Sequence, residues 1–204
     1  MYPAFLRLSG RRVVLVGGGR VEAGKLHGLI AEGAQVTVVA PEIRPELEQA
    51  GVVVRRRRFE DADLDGAWYV VAAAPPEVNR EVLAAAERRQ LFVNAVDDPP
   101  NATAYAGGVV RRDGVTIAIS TDGRAPALAG LLREALDAWL PGDLDDWMSA
   151  ADQVRREWKR DGVPMEQRRP MLLETLNRLY EERRNQLPTS NAQFPTTSNS
   201  QFSK

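Results

Sequence analysis

Arg12-Val13-Val14-Leu15-Val16-Gly17-Gly18-Gly19 is the stretch on which the fold turns. Four consecutive apolar residues, three of them β-branched, run straight into three glycines, which reads as a buried strand entering a tight turn. A helix is expected next. Val21, Leu26, Leu29 and Ile30 approximate one helical face up to Glu32, and Gly33 is a natural stop. Gln35-Val36-Thr37-Val38-Val39-Ala40 then forms a second strand. A glycine turn between strand and helix lets a pyrophosphate approach the backbone, and the helix N-terminus favours its charge, so a dinucleotide is the expected ligand. The third small residue of that fingerprint falls on Glu22, with Ala23 beside it. A turn that serves topology alone is the alternative.

Outward from this unit the alternation continues. Val52-Val53-Val54, Trp68 to Ala72 and Leu91 to Val96 read as strands and Glu77 to Arg89 as a helix, which predicts an α/β, Rossmann-like, doubly wound parallel sheet. After Asp98-Pro99-Pro100 the pattern changes. Gly108 to Arg111 and Val115 to Ile119 flank Arg112-Asp113-Gly114, a hairpin signal because Asp-Gly accepts the positive φ of a two-residue turn. Helices are expected over Ala125 to Leu140, Leu144 to Arg160 and Met165 to Arg184. The domain reading is a nucleotide-binding domain over 1–107, a hairpin-helix dimerisation module over 108–142, a helical C-terminal cap over 143–185 and a tail over 186–204. That tail, rich in Ser, Thr, Asn, Gln and Pro, holds too little apolar surface to offset the entropy of ordering, and is expected to be disordered.

Composition narrows the chemistry. The 204 residues carry a formal net charge of -1, so no global field gathers nucleic acid. The run Arg55-Arg56-Arg57-Arg58 is followed by Glu60 and Asp61 and reads as an exposed edge strand rather than a nucleic-acid surface. With no cysteine and a single histidine, His27, neither a disulfide framework nor a resident transition-metal site is expected, and His27 reads as a surface or packing residue. The start Met-Tyr-Pro-Ala-Phe-Leu-Arg-Leu shows no export signal, and no apolar run approaches the roughly 18 residues of a membrane span, so a cytoplasmic protein without membrane partners is expected. At the end of the second strand Pro41 and Glu42 are candidates for the adenosine ribose, although Glu42 could equally be a surface carboxylate. Arg44 nearby keeps NADP open beside NAD.

An ordered series of motifs resembles one family. Tyr2-Pro3-Ala4-Phe5-Leu6, Arg12 to Val21, Lys25, Glu32-Gly33-Ala34 and Val36 to Pro41 look like the opening of precorrin-2 dehydrogenases, including the N-terminal part of siroheme synthases. Ala72-Ala73-Ala74 with Asn79, Val93 to Pro99, and Ile117 to Ala129 match successive later motifs, so the likeness runs from about Tyr2 to Leu140. Glu22, Ala74, Gly107, Thr121 and Ala125 depart from residues common at those positions.

The resemblance implies oxidation of precorrin-2 to sirohydrochlorin with NAD+ as hydride acceptor, in some members followed by insertion of ferrous iron, and a homodimer. It assigns the catalytic role to Asp97, whose carboxylate at a strand end could remove the proton that leaves when the macrocycle gives up hydride. The alternative is that Asp97 or Asp98 caps the turn before Pro99-Pro100. Gly17, Gly18, Gly19, Arg20, Val21, Pro41, Glu42, Ala73 and Ala74 are implied for the cofactor, and Asn94, Ser120, Thr121 and Gly123 for the substrate. A polycarboxylate macrocycle also needs cations, for which Arg111, Arg112 and Arg124 are candidates, with Arg168 and Arg169 on the helical cap. If iron is inserted, the ring nitrogens would be its ligands and Asp97 would accept a proton as metal enters. A non-catalytic NAD-sensing regulatory module is the competing function.

Overall fold

The computed structural model describes residues 1–186, without the side chains of 20–23 and 183–186. The chain divides into two compact units, one comprising residues 1–110 with 117–138, the other residues 111–116 with those from 139 onward.

In the first unit the strands β1 (Arg12–Val16), β2 (Gln35–Val39), β3 (Val53–Arg55), β4 (Tyr69–Ala72) and β5 (Phe92–Ala95) form one parallel sheet in the order β3-β2-β1-β4-β5. Between them lie α1 (Arg20–Ala31), the single turn α2 (Pro45–Glu48) and α3 (Pro76–Glu87). Strand β1 is central because its side chains are apolar on both faces. Val13, Val14 and Leu15 have no exposed surface and Val16 only 2%. Val14 and Val16 join one core with Val39, Val70, Val82 and Val93, while Val13 and Leu15 join the other with Leu26, Leu29, Val36, Val38 and Leu47. Burying each such side chain is worth about 1.5–3 kcal/mol.

The order reverses at β1, which leads to β2 on one side and pairs with β4 on the other. At this switch point the carboxyl edge of a doubly wound sheet opens for a ligand. Further on, β6 (Gly108–Arg112) and β7 (Val115–Ile119) form a hairpin, with Asp113 at φ 48° and Gly114 at φ 81° as its two-residue turn. Helix α4 (Pro126–Trp139) follows. The later helices are α5 (Leu144–Asp161) and α6 (Met165–Gln186). Gly162, at φ 66°, stops α5 in the left-handed conformation that glycine adopts without strain. Of the tail expected over 186–204, Gln186 is instead the last residue of α6, and the residues from 187 on lie outside the described residues.

β3 is an edge strand, as expected, and the arginines at its end and just beyond it find partners in the fold. Arg55 Nη1 donates to Asp63 Oδ1 at 2.5 Å, and Arg57 donates to both Asp63 oxygens at 2.6 and 2.7 Å. Asp63 lies in the single-turn 3₁₀ helix Asp61–Leu64 and is completely buried. Its Oδ2 also accepts the Glu60 N–H at 3.0 Å, and Arg12 donates to the Asp63 carbonyl at 2.9 Å. Arg56 pairs separately with Glu48. Burial alone would raise the Asp63 pKa, but hydrogen bonds from Arg57, the Glu60 backbone and Arg55 outweigh it and hold the carboxyl below its ordinary 3.8.

A carboxyl with a lowered folded pKa contributes stability that is complete above its unfolded value and is lost as pH falls through the folded one. Stability measured by urea unfolding should therefore hold its Asp63 contribution from neutral pH down to about 4 and lose it below. Asp63→Ala should cost about 3 kcal/mol, the low end for breaking a buried pair because both guanidiniums remain partly solvated, and should flatten the acid slope. An unchanged slope would remove Asp63 from the acid response.

Candidate active site

The parallel ladder extends past the strand ends. Gly17 N–H donates to Val39 O at 3.0 Å, Ala73 N–H to Val16 O at 2.8 Å and Val96 N–H to Ala72 O at 2.8 Å. The segments after β1, β4 and β5 are thus pinned side by side on one edge, bringing together Gly17, Ala73 and the approach to Asp97. Gly19 is the N-cap of α1, and no side chain caps the helix there. The first N–H groups of an uncapped helix are available to an anion, so the donor set fits a pyrophosphate. Pro41 and Glu42 are exposed just beyond β2. Arg20 and Val21 open α1, but their side chains lie outside the described residues, as do those of Glu22 and Ala23.

Gly18 has a different reason for being glycine than the sequence suggests. A Cβ built on it would stand 1.9 Å from the Glu42 carbonyl oxygen and 3.0 Å from Ile43 Cα. The Arg44 N–H donates to the Gly18 carbonyl at 3.1 Å, locking the loop after β2 onto the turn. A side chain at Gly18 would therefore collide first with the protein's own backbone, before it met any pyrophosphate. Gly107 is similar, since its Cβ would stand 1.8 Å from the Ile119 carbonyl oxygen. A residue with a side chain at 107 requires a different local path.

The two aspartates left open by the sequence separate in the structure. Asp98 is half-buried, and its Oδ2 accepts Nδ2 of Asn79 at 3.0 Å and Nδ2 of Asn101 at 2.8 Å. Asn79 Oδ1 accepts the Ala74 N–H at 3.1 Å. Asp98 thus ties down the turn that continues into the 3₁₀ helix Pro99–Asn101. Asp97 is exposed, has φ 55°, and its carboxylate makes no hydrogen bond or ion pair with the described residues. Sequence reasoning missed the Asn79 and Asn101 roles. The available signal was a polar residue at 79 on the α3 face that also carries Val82, Ala85 and Ala86.

Asn94 is buried on β5 and donates to the Ala104 carbonyl at 3.1 Å. Ser120 Oγ accepts the Asp122 N–H and Thr121 Oγ1 the Ala125 N–H, each at 3.2 Å. Both hydroxyls serve the turn before α4 yet keep their own protons to donate. Gly123, at φ 72°, and exposed Arg124 belong to the same turn. Arg111 is exposed in the second unit, where Arg112 Nη1 donates to the Leu140 carbonyl at 3.0 Å. Arg168 Nε donates to the Val163 carbonyl at 3.0 Å, whereas Arg169 is exposed. His27 is an exposed residue of α1. No helix among the described residues is long and apolar enough to cross a membrane.

A parallel sheet with an uncapped glycine turn at its switch point defines an NAD(P)-binding protein, and the family model described as putative NAD(P)-binding matches residues 4–108. Residues 112–138 match a second model, described as sirohaem biosynthesis protein central. The chain belongs to the NAD(P)-binding family of the first model, and its central segment is similar to the second. It is 40% identical over 172 residues to siroheme synthase 3 of Aeromonas hydrophila subsp. hydrophila, covering 82% of this chain and 37% of that protein. Siroheme synthase of Photorhabdus laumondii subsp. laumondii is 38% identical over 180 residues, covering 86% of this chain and 38% of that protein. The chain therefore spans less than two fifths of the length of these curated relatives. The solved structure of SirC, precorrin-2 dehydrogenase, is similar with a TM-score of 0.65 and 25% identity, over 85% of this chain and 88% of that one.

Two substitutions separate the protein-packing and ligand roles of the glycine turn. Gly18→Ala should lower stability by about 1–3 kcal/mol through overpacking, and dinucleotide affinity with it. Gly19→Asp should act oppositely on the two properties. Gly19 has φ -92° and ψ -158°, open to any residue, and an aspartate there caps α1, adding a few tenths of a kcal/mol at most. Its carboxylate would meet the N–H groups offered to the pyrophosphate, so NAD+ affinity measured by calorimetry should fall at least about tenfold while the melting temperature holds. Undiminished affinity would move the pyrophosphate elsewhere.

Proposed function

We propose that this chain oxidises precorrin-2 to sirohydrochlorin with NAD+, acting in the cytoplasm as a homodimer. The similarity to SirC over most of both chains supports the substrate, and the siroheme synthase relatives support the pathway. The observation that carries the chemistry is the contrast between the two aspartates: Asp98 is committed to two amides, while Asp97 stands exposed at the carboxyl end of β5 with no partner for its carboxylate among the described residues.

Bound dinucleotide supplies the hydride acceptor. The backbone of Gly17 to Val21 holds its pyrophosphate, Glu42 its adenosine ribose hydroxyls, and Ala73 and Ala74 border it from β4. The Glu42 carboxylate repels a 2′-phosphate, which favours NAD over NADP despite Arg44. Asp97 accepts the ring proton lost with the hydride. On the same unit Arg124 pairs with substrate carboxylates, and Ser120 and Thr121 donate their hydroxyl protons. Asn94, on β5, serves the substrate side, with its Nδ2 already bonded to the Ala104 carbonyl.

Asn tolerates positive φ as Asp does, so Asp97→Asn keeps the turn and removes only the base, whereas Asp97→Ala adds backbone strain. In an anaerobic assay following NADH together with the tetrapyrrole spectrum, Asp97→Asn should lose about 10²–10⁴-fold in turnover with NAD+ affinity and fold retained. Near-native turnover in that variant would sink the assignment. Tight NAD+ binding by the unsubstituted chain with no precorrin-2 oxidation would sink the proposed activity altogether.

The homodimer is supported by α4, where Leu128, Leu131 and Leu132 are 50, 64 and 42% exposed on one face. Sedimentation should give twice the 22.5 kDa chain mass, and Leu131→Glu should return the chain to that single mass without loss of helicity. A monomer at micromolar concentration before substitution would contradict it.

A further inference from the structure

Asn79 is 1% exposed, on a face of α3 that is otherwise apolar. A buried amide must find partners for its oxygen and its nitrogen. Its two partners lie on different loops. The Ala74 N–H can only donate and the Asp98 carboxylate accepts, which fixes the amide with Oδ1 toward Ala74 at 3.1 Å and Nδ2 toward Asp98 at 3.0 Å. Asp98 Oδ2 takes a second amide from Asn101, itself buried, at 2.8 Å. Asp97 sits between two anchors: Val96, whose N–H is bonded to Ala72 O at 2.8 Å, and Asp98, held by the two asparagines. Its φ of 55° is a conformation that the anchors on either side must maintain.

We propose that Asn79 is a positioning residue for the oxidation, holding the Ala74 loop with its oxygen and the Asp98 carboxylate with its nitrogen and so setting the Asp97 carboxylate relative to the loop that borders the dinucleotide. The inference rests on Asp97 being the base. Freed from Asn79, Asp98 releases one side of the turn, and Asp97 can relax away from the left-handed region, taking its carboxylate out of line. Misplacement by about 1 Å is enough to cost on the order of 10²-fold in rate.

Asn79→Asp is nearly isosteric and divides the two bonds. It still accepts from the Ala74 N–H but faces Asp98 with a like charge in place of a donor. Precorrin-2 oxidation should lose about 10–100-fold in kcat, with KM and NAD+ affinity changed by no more than about twofold. The double variant Asn79→Asp/Asp98→Asn exchanges donor and acceptor. The amide at position 98 then has two hydrogens, one for the carboxylate at 79 and one for the Asn101 amide turned over, and kcat should return to within about threefold of the unsubstituted chain. If the single variant fails to fold, the double variant carries the test alone, and a folded but slow double variant overturns the proposal. Unchanged kcat in folded Asn79→Asp also overturns it, as does recovery of melting temperature without recovery of kcat in the double variant. Asp97→Asn assayed alongside keeps the two readings apart: its retained turnover removes the base, whereas its loss together with an unaffected Asn79→Asp removes only the role of Asn79.

Discussion

The rest of the structure depends on the burial of β1 on both faces and its hydrogen bonding on both edges. A strand so placed cannot slip, because a one-residue shift would exchange the residues of the two cores. Val14 and Val16 would trade places with Val13 and Leu15, whose neighbours belong to α1 and β2 rather than α3 and β5. Register at β1 therefore sets register at β2 and β4, and through β4 at β5. The aligned carboxyl edge is a consequence of that packing. It places a glycine turn, an alanine loop and an aspartate turn on the same rim of the sheet, which is the geometry a dinucleotide fold needs at its switch point.

Rigidity at the rim comes from polar groups rather than from more apolar packing. The loop after β2 is bonded to Gly18 and leaves no room for a Cβ there, so the turn and the loop behave as one piece. The segment after β5 is held by buried Asn79 and Asn101, whose amides both donate to the half-buried Asp98 carboxylate. Buried polar networks of this kind specify one arrangement because each unmade bond costs the desolvation of its group. Asp97 is the exception within that rim. Val96 and Asp98 on either side of it are engaged, its backbone is in a conformation few residues favour, and its exposed carboxylate has no partner among the described residues. Strain maintained around an unengaged acid is a pattern found at functional sites.

The far edge of the sheet shows the same principle serving stability. Arg55 and Arg57 converge on fully buried Asp63, and Arg12 reaches the same turn from the amino end of β1. What reads along the chain as a block of positive charge is locally neutralised at every second residue, while Arg56 pairs with Glu48. The edge strand is closed by side-chain charge and hydrogen bonding, with no further strand beyond it among the described residues.

Elements with strong periodicity were legible from the residues alone: the five parallel strands, α1, α3, the Asp113-Gly114 hairpin turn and the later helices all lie within a residue or two of their expected bounds. Local chain chemistry determines these, through apolar spacing and through the few residues that accept positive φ. Short turns of helix, α2 and the 3₁₀ segments at 61–64 and 99–101, escaped because three or four residues carry no period. The glycine turn and the aspartate pair were visible as a candidate site, but their division of labour was not. Whether Asp97 or Asp98 holds the turn depends on Asn79, which lies 19 residues away from Asp98. Why Gly18 must be glycine depends on a carbonyl 24 positions on, at Glu42, and which arginines are free depends on a buried carboxylate at Asp63. The sequence by itself determined the elements and the residue types available at the rim. Only the tertiary structure decided which of those polar groups are satisfied within the fold and which are left for a ligand, because satisfaction is a matter of distances between residues that the chain order keeps apart.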